Sequence, residues 1–337
     1  MDQFRNHPLY RKHNIDSAIN SLWEFYKKKF LSLFIISLCM TLVIQYISTI
    51  INFSELQTIS DPVILLEKIK DYIVPMLIIS VLNLLFIAIL QYYIIYNPLD
   101  SSINIFSAAL NSIKYFIPYL IIMVLLAFAG SVAIALGLLA LIIGVFFSIL
   151  YIMTLYLFIL PILMVEGTNI ANAISRTIKL THTNFWSNIG WVAVFIIILI
   201  VLSVILSGII LLPFTGNFVK SIVNPDNATN LMKIADNPFF IILSAIVSAL
   251  TLPLMPIFSC IMYFNGRAGE EQEQTSSPVN PENDKVRVED LYAKPYSDDH
   301  PDNPDNMENR SVRVEDLYAK PYSDDHPDNP EKNKSKE

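Results

Sequence analysis

The chain has 337 residues, of which 53% are hydrophobic and only 16% are charged, and its formal net charge is −7. A composition this apolar is typical of membrane proteins and departs from that of soluble domains. The acidic balance, with no basic stripe beyond the N-terminus, excludes nucleic acid as the expected partner.

The charge is divided unevenly along the chain. Residues 1–264 carry 13 Lys and Arg against 11 Asp and Glu, whereas residues 265–337 carry 10 against 19. This shift predicts three regions: an N-terminal amphipathic cytoplasmic segment over 1–29, a membrane domain over 30–264, and an acidic cytoplasmic tail over 265–337.

Long intervals without Asp, Glu, Lys or Arg predict the membrane spans, because a spanning helix needs about 20 apolar residues. The interval from Tyr115 to Val165 is too long for one helix, so we expect a hairpin near Gly137 to Gly144. The fold class is therefore an all-α integral membrane protein with six transmembrane helices. The predicted spans are 30–51, 74–96, 117–137, 141–164, 189–212 and 238–264.

Short stretches with helical periodicity precede the first, third and fifth spans and predict amphipathic interfacial helices. Their predicted apolar faces are Ile15, Ile19, Leu22 and Tyr26 in the first, Ile103, Phe106, Leu110 and Ile113 in the second, and Ile170, Ile174 and Ile178 in the third. In the third, Ser175, Arg176 and Lys179 are expected to face water. A further run at 63–72, after Pro62, is either an interfacial helix or an early start of the second span.

The basic residues predict the orientation, since Lys and Arg concentrate on the cytoplasmic side. Ten of them fall on the side of the N-terminus and four in the opposite loops. We therefore expect a multi-pass protein of a bacterial inner (cytoplasmic) membrane, with both termini in the cytoplasm and the lipid bilayer as its immediate surroundings.

Residues 165–195 contain an acidic-Gly turn, a basic helix, a Leu-Thr pair and a Phe-Trp pair before a span. The motif residues are Glu166, Gly167, Ala173 to Arg176, Leu180, Thr181, Phe185 and Trp186. The pattern resembles the membrane-domain family attached to some glycerophosphodiester phosphodiesterases, and its free-standing six-span relatives of uncharacterised function. The relatives close with an acidic, Arg-rich exit, where this chain has Asn265 and Gly266. The resemblance implies a helical membrane module, and we expect neither the phosphodiesterase barrel nor its activity in these 337 residues.

The predicted spans contain polar residues but no ionisable group in their cores. Gln45, Asn83 and Gln91 are expected to hydrogen-bond between helices, and the alternative is that they line a translocation path. The Pro-interrupted stretch TLPLMPIF at 251–258 is a candidate broken helix, although proline is also common in ordinary membrane helices. Cys39 and Cys260 lie in apolar runs and support neither a disulfide nor a metal site. We predict no catalytic residue, no cofactor and no metal.

The tail repeats a 19-residue segment, VRVEDLYAKPYSDDHPDNP, at 286–304 and at 312–330. Its composition predicts disorder, so the repeat is either a neutral duplication or a recognition element present in two copies for a cytosolic protein. The candidate anchors for that partner are Leu291, Tyr292, Tyr296, Leu317, Tyr318 and Tyr322. Asp298, Asp299 and His300 could suggest a metal, but without a packed scaffold we expect only a solvated segment.

These observations predict a non-catalytic membrane protein that acts as a scaffold or accessory factor and presents a bivalent tail. The alternative is a channel or carrier for a small or lipidic solute that uses the interrupted last helix. A membrane-embedded lipid enzyme ranks third, because the sequence offers no acid, base or metal site for it. The sequence leaves the oligomeric state open.

Overall fold

A computed structural model of the protein describes residues 2–48, 61–216 and 237–276. Both copies of the repeat, with all six of their candidate anchors, lie outside the described residues. Each described part is helical, and within it short turns separate successive helices.

Nine α-helices and two short 3₁₀ helices make up the described parts of the chain. The 3₁₀ helices are Asp2–Asn6 and Leu212–Phe214. The α-helices are α1 (Ile15–Lys28), α2 (Phe30–Ser48), α3 (Pro62–Tyr96), α4 (Ile105–Leu139), α5 (Leu141–Val165), α6 (Ile170–Thr183), α7 (Phe185–Leu211), α8 (Pro238–Thr251) and α9 (Leu254–Ser276).

Among the described residues, six stretches are long and apolar enough to span a membrane, in agreement with the predicted number of spans. They are α2, α3, α4, α5, Phe185–Phe214 and Pro238–Glu273, the last formed by α8 and most of α9. The run at 63–72 is the first part of α3, so the early start of the second span is the correct alternative. The last helix continues to Ser276, beyond the predicted end of the membrane domain at 264.

Asparagine and aspartate set the starts of five helices. Their side-chain oxygens accept hydrogen bonds from backbone amides of the first turn, which would otherwise lack partners. The capping residues are Asn14, Asp61, Asn104, Asn169 and Asn237. Asn14 also forms a reciprocal capping box with Ser17.

The predicted amphipathic helices are only partly separate from the spans. Helices α1 and α6 stand alone before α2 and α7, whereas the stretch before the third span is continuous with α4. The predicted apolar faces also differ from the packed ones. In α4, Ala108 is buried while Phe106 is 72% exposed, and in α6, Thr177 is buried while Ile178 is 46% exposed. In a bilayer, large apolar residues can face lipid and small residues allow close helix packing.

The predicted hairpin is confirmed, since α4 ends at Leu139 and α5 begins at Leu141. Its two helices approach closely at Gly137 and Gly144. A Cβ atom added to Gly137 would lie 2.7 Å from the Gly144 carbonyl oxygen and 2.7 Å from the Ser148 hydroxyl. The absence of side chains at these positions therefore permits the close approach.

The last span, predicted as one helix over 238–264, is interrupted at Leu252 and Pro253, within the TLPLMPIF stretch that is a candidate broken helix. Proline lacks an amide hydrogen, so carbonyl groups in the preceding turn lose their helical donors. The Tyr26 hydroxyl of α1 donates a hydrogen bond to the Leu250 carbonyl (2.9 Å). A neighbouring helix thus satisfies backbone that the break exposes.

Helix α9 lies in the interior of the bundle and packs against α1, α3 and α5. Every residue from Ile257 to Phe264 is buried. Ser259 donates to the Leu157 carbonyl (2.5 Å), and the rings of Phe258 and Phe195 stack 4.0 Å apart. The position of α9 therefore determines which residues meet where the helix leaves the bundle.

We predict that Gly137→Ala lowers the stability of the detergent-purified protein by about 1–3 kcal/mol, because the added methyl group overpacks the hairpin. The measurement is the midpoint of thermal unfolding. Gly208→Ala in α7 is the matched control, since a Cβ there would meet nothing within 4 Å. Equal midpoints for the two variants would contradict the close approach.

Candidate functional site: an ion-paired helix exit

Glu166 and Arg176 meet at a sharp turn between α5 and α6. Helix α5 ends at Val165, and Gly167 has φ +124°, a left-handed conformation that glycine adopts without strain. The turn brings α6 back so that the Arg176 Nε donates to both Glu166 carboxylate oxygens, at 3.0 and 3.1 Å. Two residues of the predicted motif therefore form a direct ion pair.

Helix α9 completes this site from the other side. The Arg176 Nη1 donates to Glu270 Oε1 (2.7 Å) and its Nη2 to Glu270 Oε2, which is a two-pronged pairing. The Arg267 Nη1 lies 3.8 Å from Glu166 Oε1 and 3.5 Å from Glu270 Oε2. The Tyr263 hydroxyl donates to Glu166 Oε1 (2.9 Å). We call these five residues the Arg–Glu cluster.

The cluster is sheltered from solvent and balanced in charge, with two arginines and two glutamates. The side chains of Arg176, Glu166 and Glu270 are only 15–17% exposed. The hydrogen bonds that Arg176 donates to Glu270 raise the pKa of Arg176, and burial opposes that rise without cancelling it. The prediction that Arg176 faces water is therefore wrong, because Glu270 approaches it from a distant part of the sequence.

The N-terminal segment, residues 2–14, packs over the same end of the bundle. Phe4, His7 and Leu9 are buried, and the His7 ring lies 4.9 Å from the ring of Phe264 in α9. The Leu9 amide donates to His7 Nδ1 (3.2 Å), so the proton of the neutral ring is on Nε2, which donates to the Ile94 carbonyl (3.1 Å). Burial lowers the pKa of His7 to about 4, and the ring is uncharged at neutral pH.

Three contacts fasten the N-terminal segment to the part of α9 that leaves the bundle. The Tyr10 hydroxyl donates to Glu271 (2.7 Å), and burial together with Glu271 raises the pKa of Tyr10 to about 12. The Arg5 Nε lies 3.4 Å from the same carboxylate. The His13 amide donates to the Asn265 side chain (2.8 Å).

The remaining motif residues lie around α6 and the start of α7. Thr181 is fully buried, and its backbone carbonyl accepts a hydrogen bond from the Asn188 side chain (3.1 Å). The Phe185 ring stacks on His182 at 5.6 Å. Trp186 is 72% exposed and touches Phe147 edge-on. These residues position α6 against α7 and do not join the Arg–Glu cluster.

The three polar residues of the spans find their partners separately. Gln91 is buried, and its Nε2 donates to the Pro256 carbonyl (3.3 Å) and to Cys260 Sγ (2.8 Å), as expected for a bond between helices. Asn83 donates to the Ile79 carbonyl of its own helix (3.1 Å). The Gln45 backbone carbonyl accepts from Ser48 (2.8 Å), so among the described residues Gln91 alone of the three makes an interhelical hydrogen bond.

The ion pairs of this site can attach α9 to α6 and to the turn that follows α5. Each carboxylate of the cluster lies against a guanidinium group. Within the described residues, no group of three or more His, Cys, Asp or Glu side chains could hold a metal ion.

Sequence reasoning missed His7, Tyr10 and the cluster members in α9. The sequence signal for the α9 members was MYFNGRAGEE (262–271), which places an arginine and two glutamates directly after the predicted last span.

We predict that Arg176→Gln destabilises the protein by about 2 kcal/mol, because it leaves two sheltered carboxylates without their main partner. Arg176→Lys keeps the charge but loses the planar fork, so its loss is intermediate. The measurement is chemical unfolding in detergent. Lys28→Gln, at an exposed position of α1, is the control and leaves the midpoint unchanged. If Arg176→Gln behaves like the control, the cluster does not hold α9.

We predict a pH dependence that arises from His7. Because its folded pKa of about 4 lies below the ordinary 6.5, the unfolded chain binds more protons between these values. The contribution of His7 to stability is therefore constant above pH 6.5 and falls by up to about 1.4 kcal/mol per pH unit between pH 6.5 and pH 4. Burial also lowers the pKa of His13, which adds a loss of the same sign. His7→Gln removes the His7 part, and identical pH profiles for the two proteins would refute the assignment.

Comparison of the chain with protein-family models, with curated proteins and with solved structures finds no match. The resemblance to the phosphodiesterase-associated membrane domains therefore stays a prediction that rests on the motif residues.

Proposed function

We propose that this protein is a non-catalytic membrane scaffold that holds the duplicated segments at 286–304 and 312–330 beside one end of its helical bundle for a cytosolic partner. The observation that carries the proposal is the attachment of α9. The helix that leads to the duplicated segments is held where it leaves the bundle by Arg176, Glu166 and Tyr10.

The attachment draws on separate elements of the fold. Arg176 comes from α6, Glu166 from the turn after α5, and Tyr10 and Arg5 from the N-terminal segment. Side-chain contacts on several sides of a helix restrict its rotation and tilt. The helix that precedes the duplicated segments in the sequence is therefore held in a defined orientation, which is the property that a scaffold requires.

Two identical copies suit a partner with two binding sites. Each copy carries one Leu and two Tyr residues, and rigid aromatic side chains lose little entropy on binding. Binding of the first copy raises the effective concentration of the second, so the affinity of the pair exceeds that of either copy by about 10² or more.

The interrupted last span is the observation that favours the second candidate, a channel or carrier. Broken helices expose backbone groups that can bind a solute. Here the Tyr26 hydroxyl already bonds to the Leu250 carbonyl and the Gln91 amide to the Pro256 carbonyl. The cavity beside Gln91 encloses about 10 Å³, about the space of one water molecule. These contacts favour the scaffold.

We place the protein in the inner (cytoplasmic) membrane with both termini in the cytoplasm. The N-terminal segment, the turn between α5 and α6, and the exit of α9 meet at one end of the bundle. The same end carries the Lys and Arg excess of the sequence, which supports this orientation.

The test compares capture of proteins from detergent-solubilised native membranes by the full chain and by a chain that ends at Ser276. Ending at Ser276 retains Glu270 and Glu271, so the Arg–Glu cluster stays intact. We expect a protein that binds the full chain and not the shortened one. Alanine at Leu291, Tyr292 and Tyr296 weakens its capture about tenfold or more, and alanine also at Leu317, Tyr318 and Tyr322 abolishes it.

Asp299→Ala combined with Asp325→Ala is the matched control, because these residues of the repeat are expected to be solvated. Capture of the same proteins by the full chain, the shortened chain and the six-alanine variant would refute the docking role. That result would mean that the duplication is neutral and that the membrane domain carries the function.

A further inference from the structure

Helices α4, α5 and α6 border an apolar cavity of about 160 Å³, and none of its lining residues belongs to the Arg–Glu cluster. Its lining includes Ile122, Leu126 and Ala129 of α4, Ile159 of α5, and Ile174 and Thr177 of α6. The volume is comparable to that of an engineered apolar cavity of roughly 150 Å³ that stays dry and takes up benzene. Such a cavity favours a hydrocarbon occupant over water.

Thr177 is the polar member of the lining. It is only 3% exposed, and its hydroxyl has no hydrogen-bond partner among the described residues. A buried threonine in a helix ordinarily donates to the carbonyl four residues earlier. A buried hydroxyl that makes no such bond costs stability unless a bound molecule supplies an acceptor.

The cavity opens toward the surface of the bundle that faces lipid. Leu125 and Ile178 contribute to its lining and are nevertheless 49% and 46% exposed. Both lie on elements of the membrane domain, α4 being a span and α6 an amphipathic helix. An occupant can therefore come directly from the bilayer.

The position of Thr177 indicates how deep in the bilayer the cavity lies. Thr177 follows Arg176, which belongs to the polar Arg–Glu cluster, and the α4 and α5 lining is hydrocarbon. This boundary between polar and apolar groups is the level at which amphipathic helices lie, between the headgroups and the acyl chains. The ester groups of glycerolipids occupy the same level.

We propose that this cavity binds an acyl chain of a bilayer glycerophospholipid, whose ester carbonyl accepts a hydrogen bond from the Thr177 hydroxyl. The apolar walls hold the first carbons of the chain, and the remainder extends along the exposed residues into the bilayer. This site is independent of the tail and goes beyond the proposed scaffold function.

The test places the full chain in nanodiscs that contain a phosphatidylcholine with a photoactivatable group near the ester end of one acyl chain. After irradiation, mass spectrometry locates the labelled peptides of α4, α5 and α6. Ala129→Phe fills the cavity and is expected to reduce labelling at these peptides at least fivefold. Ala127→Phe, on the same helix but outside the lining, is the control and leaves labelling unchanged. Ala129→Leu repeats the test with a smaller side chain if the Phe variant does not fold.

A second comparison isolates the hydrogen bond. Thr177→Val keeps the shape of the side chain and is expected to reduce labelling by the ester-linked photoactivatable lipid about fivefold. An ether-linked photoactivatable analogue has no carbonyl, so the substitution leaves its labelling unchanged. Even labelling of all exposed helices, with no effect of either Ala129 variant, would overturn the site. Equal effects on ester-linked and ether-linked lipids would overturn the role of Thr177.

Discussion

The burial of α9 is the constraint on which the rest of this structure depends. A helix enclosed by other helices must obtain every hydrogen bond beyond its own backbone from its neighbours. Ser259 finds the Leu157 carbonyl, Cys260 lies against Gln91, and Tyr263 reaches Glu166. The neighbours that supply these partners belong to α3, to α5 and to the turn after α5, so one helix fixes the arrangement of several others.

The same constraint explains the Arg–Glu cluster. Where α9 leaves the apolar interior, its charged residues are still close to neighbouring elements and need counter-charges. Arg176 lies between Glu166 and Glu270 and pairs with both, and Arg267 adds the second positive charge that balances the two carboxylates. An arrangement of alternating charges tolerates partial burial that an isolated carboxylate would not. The attachment of α9 where it leaves the bundle is thus a consequence of its burial among the other helices.

The sequence predicted the spans well because the absence of charge is a local property. It also predicted the hairpin at Gly137, since the uncharged interval exceeded the length of one span. It could predict Glu166 and Arg176 as a motif but not their partner Glu270, which lies 94 residues from Arg176 along the chain.

The packed faces of α4 and α6 were missed for a different reason. In water the largest apolar residues turn inward, whereas beside lipid Phe106 and Ile178 lie outside, and Ala108 and Thr177 pack against the protein. A pattern of polarity therefore does not distinguish the two sides of a helix that contacts lipid.

The ring contacts of the N-terminal segment bear on the order of assembly. Phe4, His7 and Tyr10 all touch Phe264, which is synthesised after every other span. Residues 4–10 thus leave the ribosome long before the surface that buries them exists. Closure of this end is therefore a late event in biogenesis, because it requires α9 to be in place.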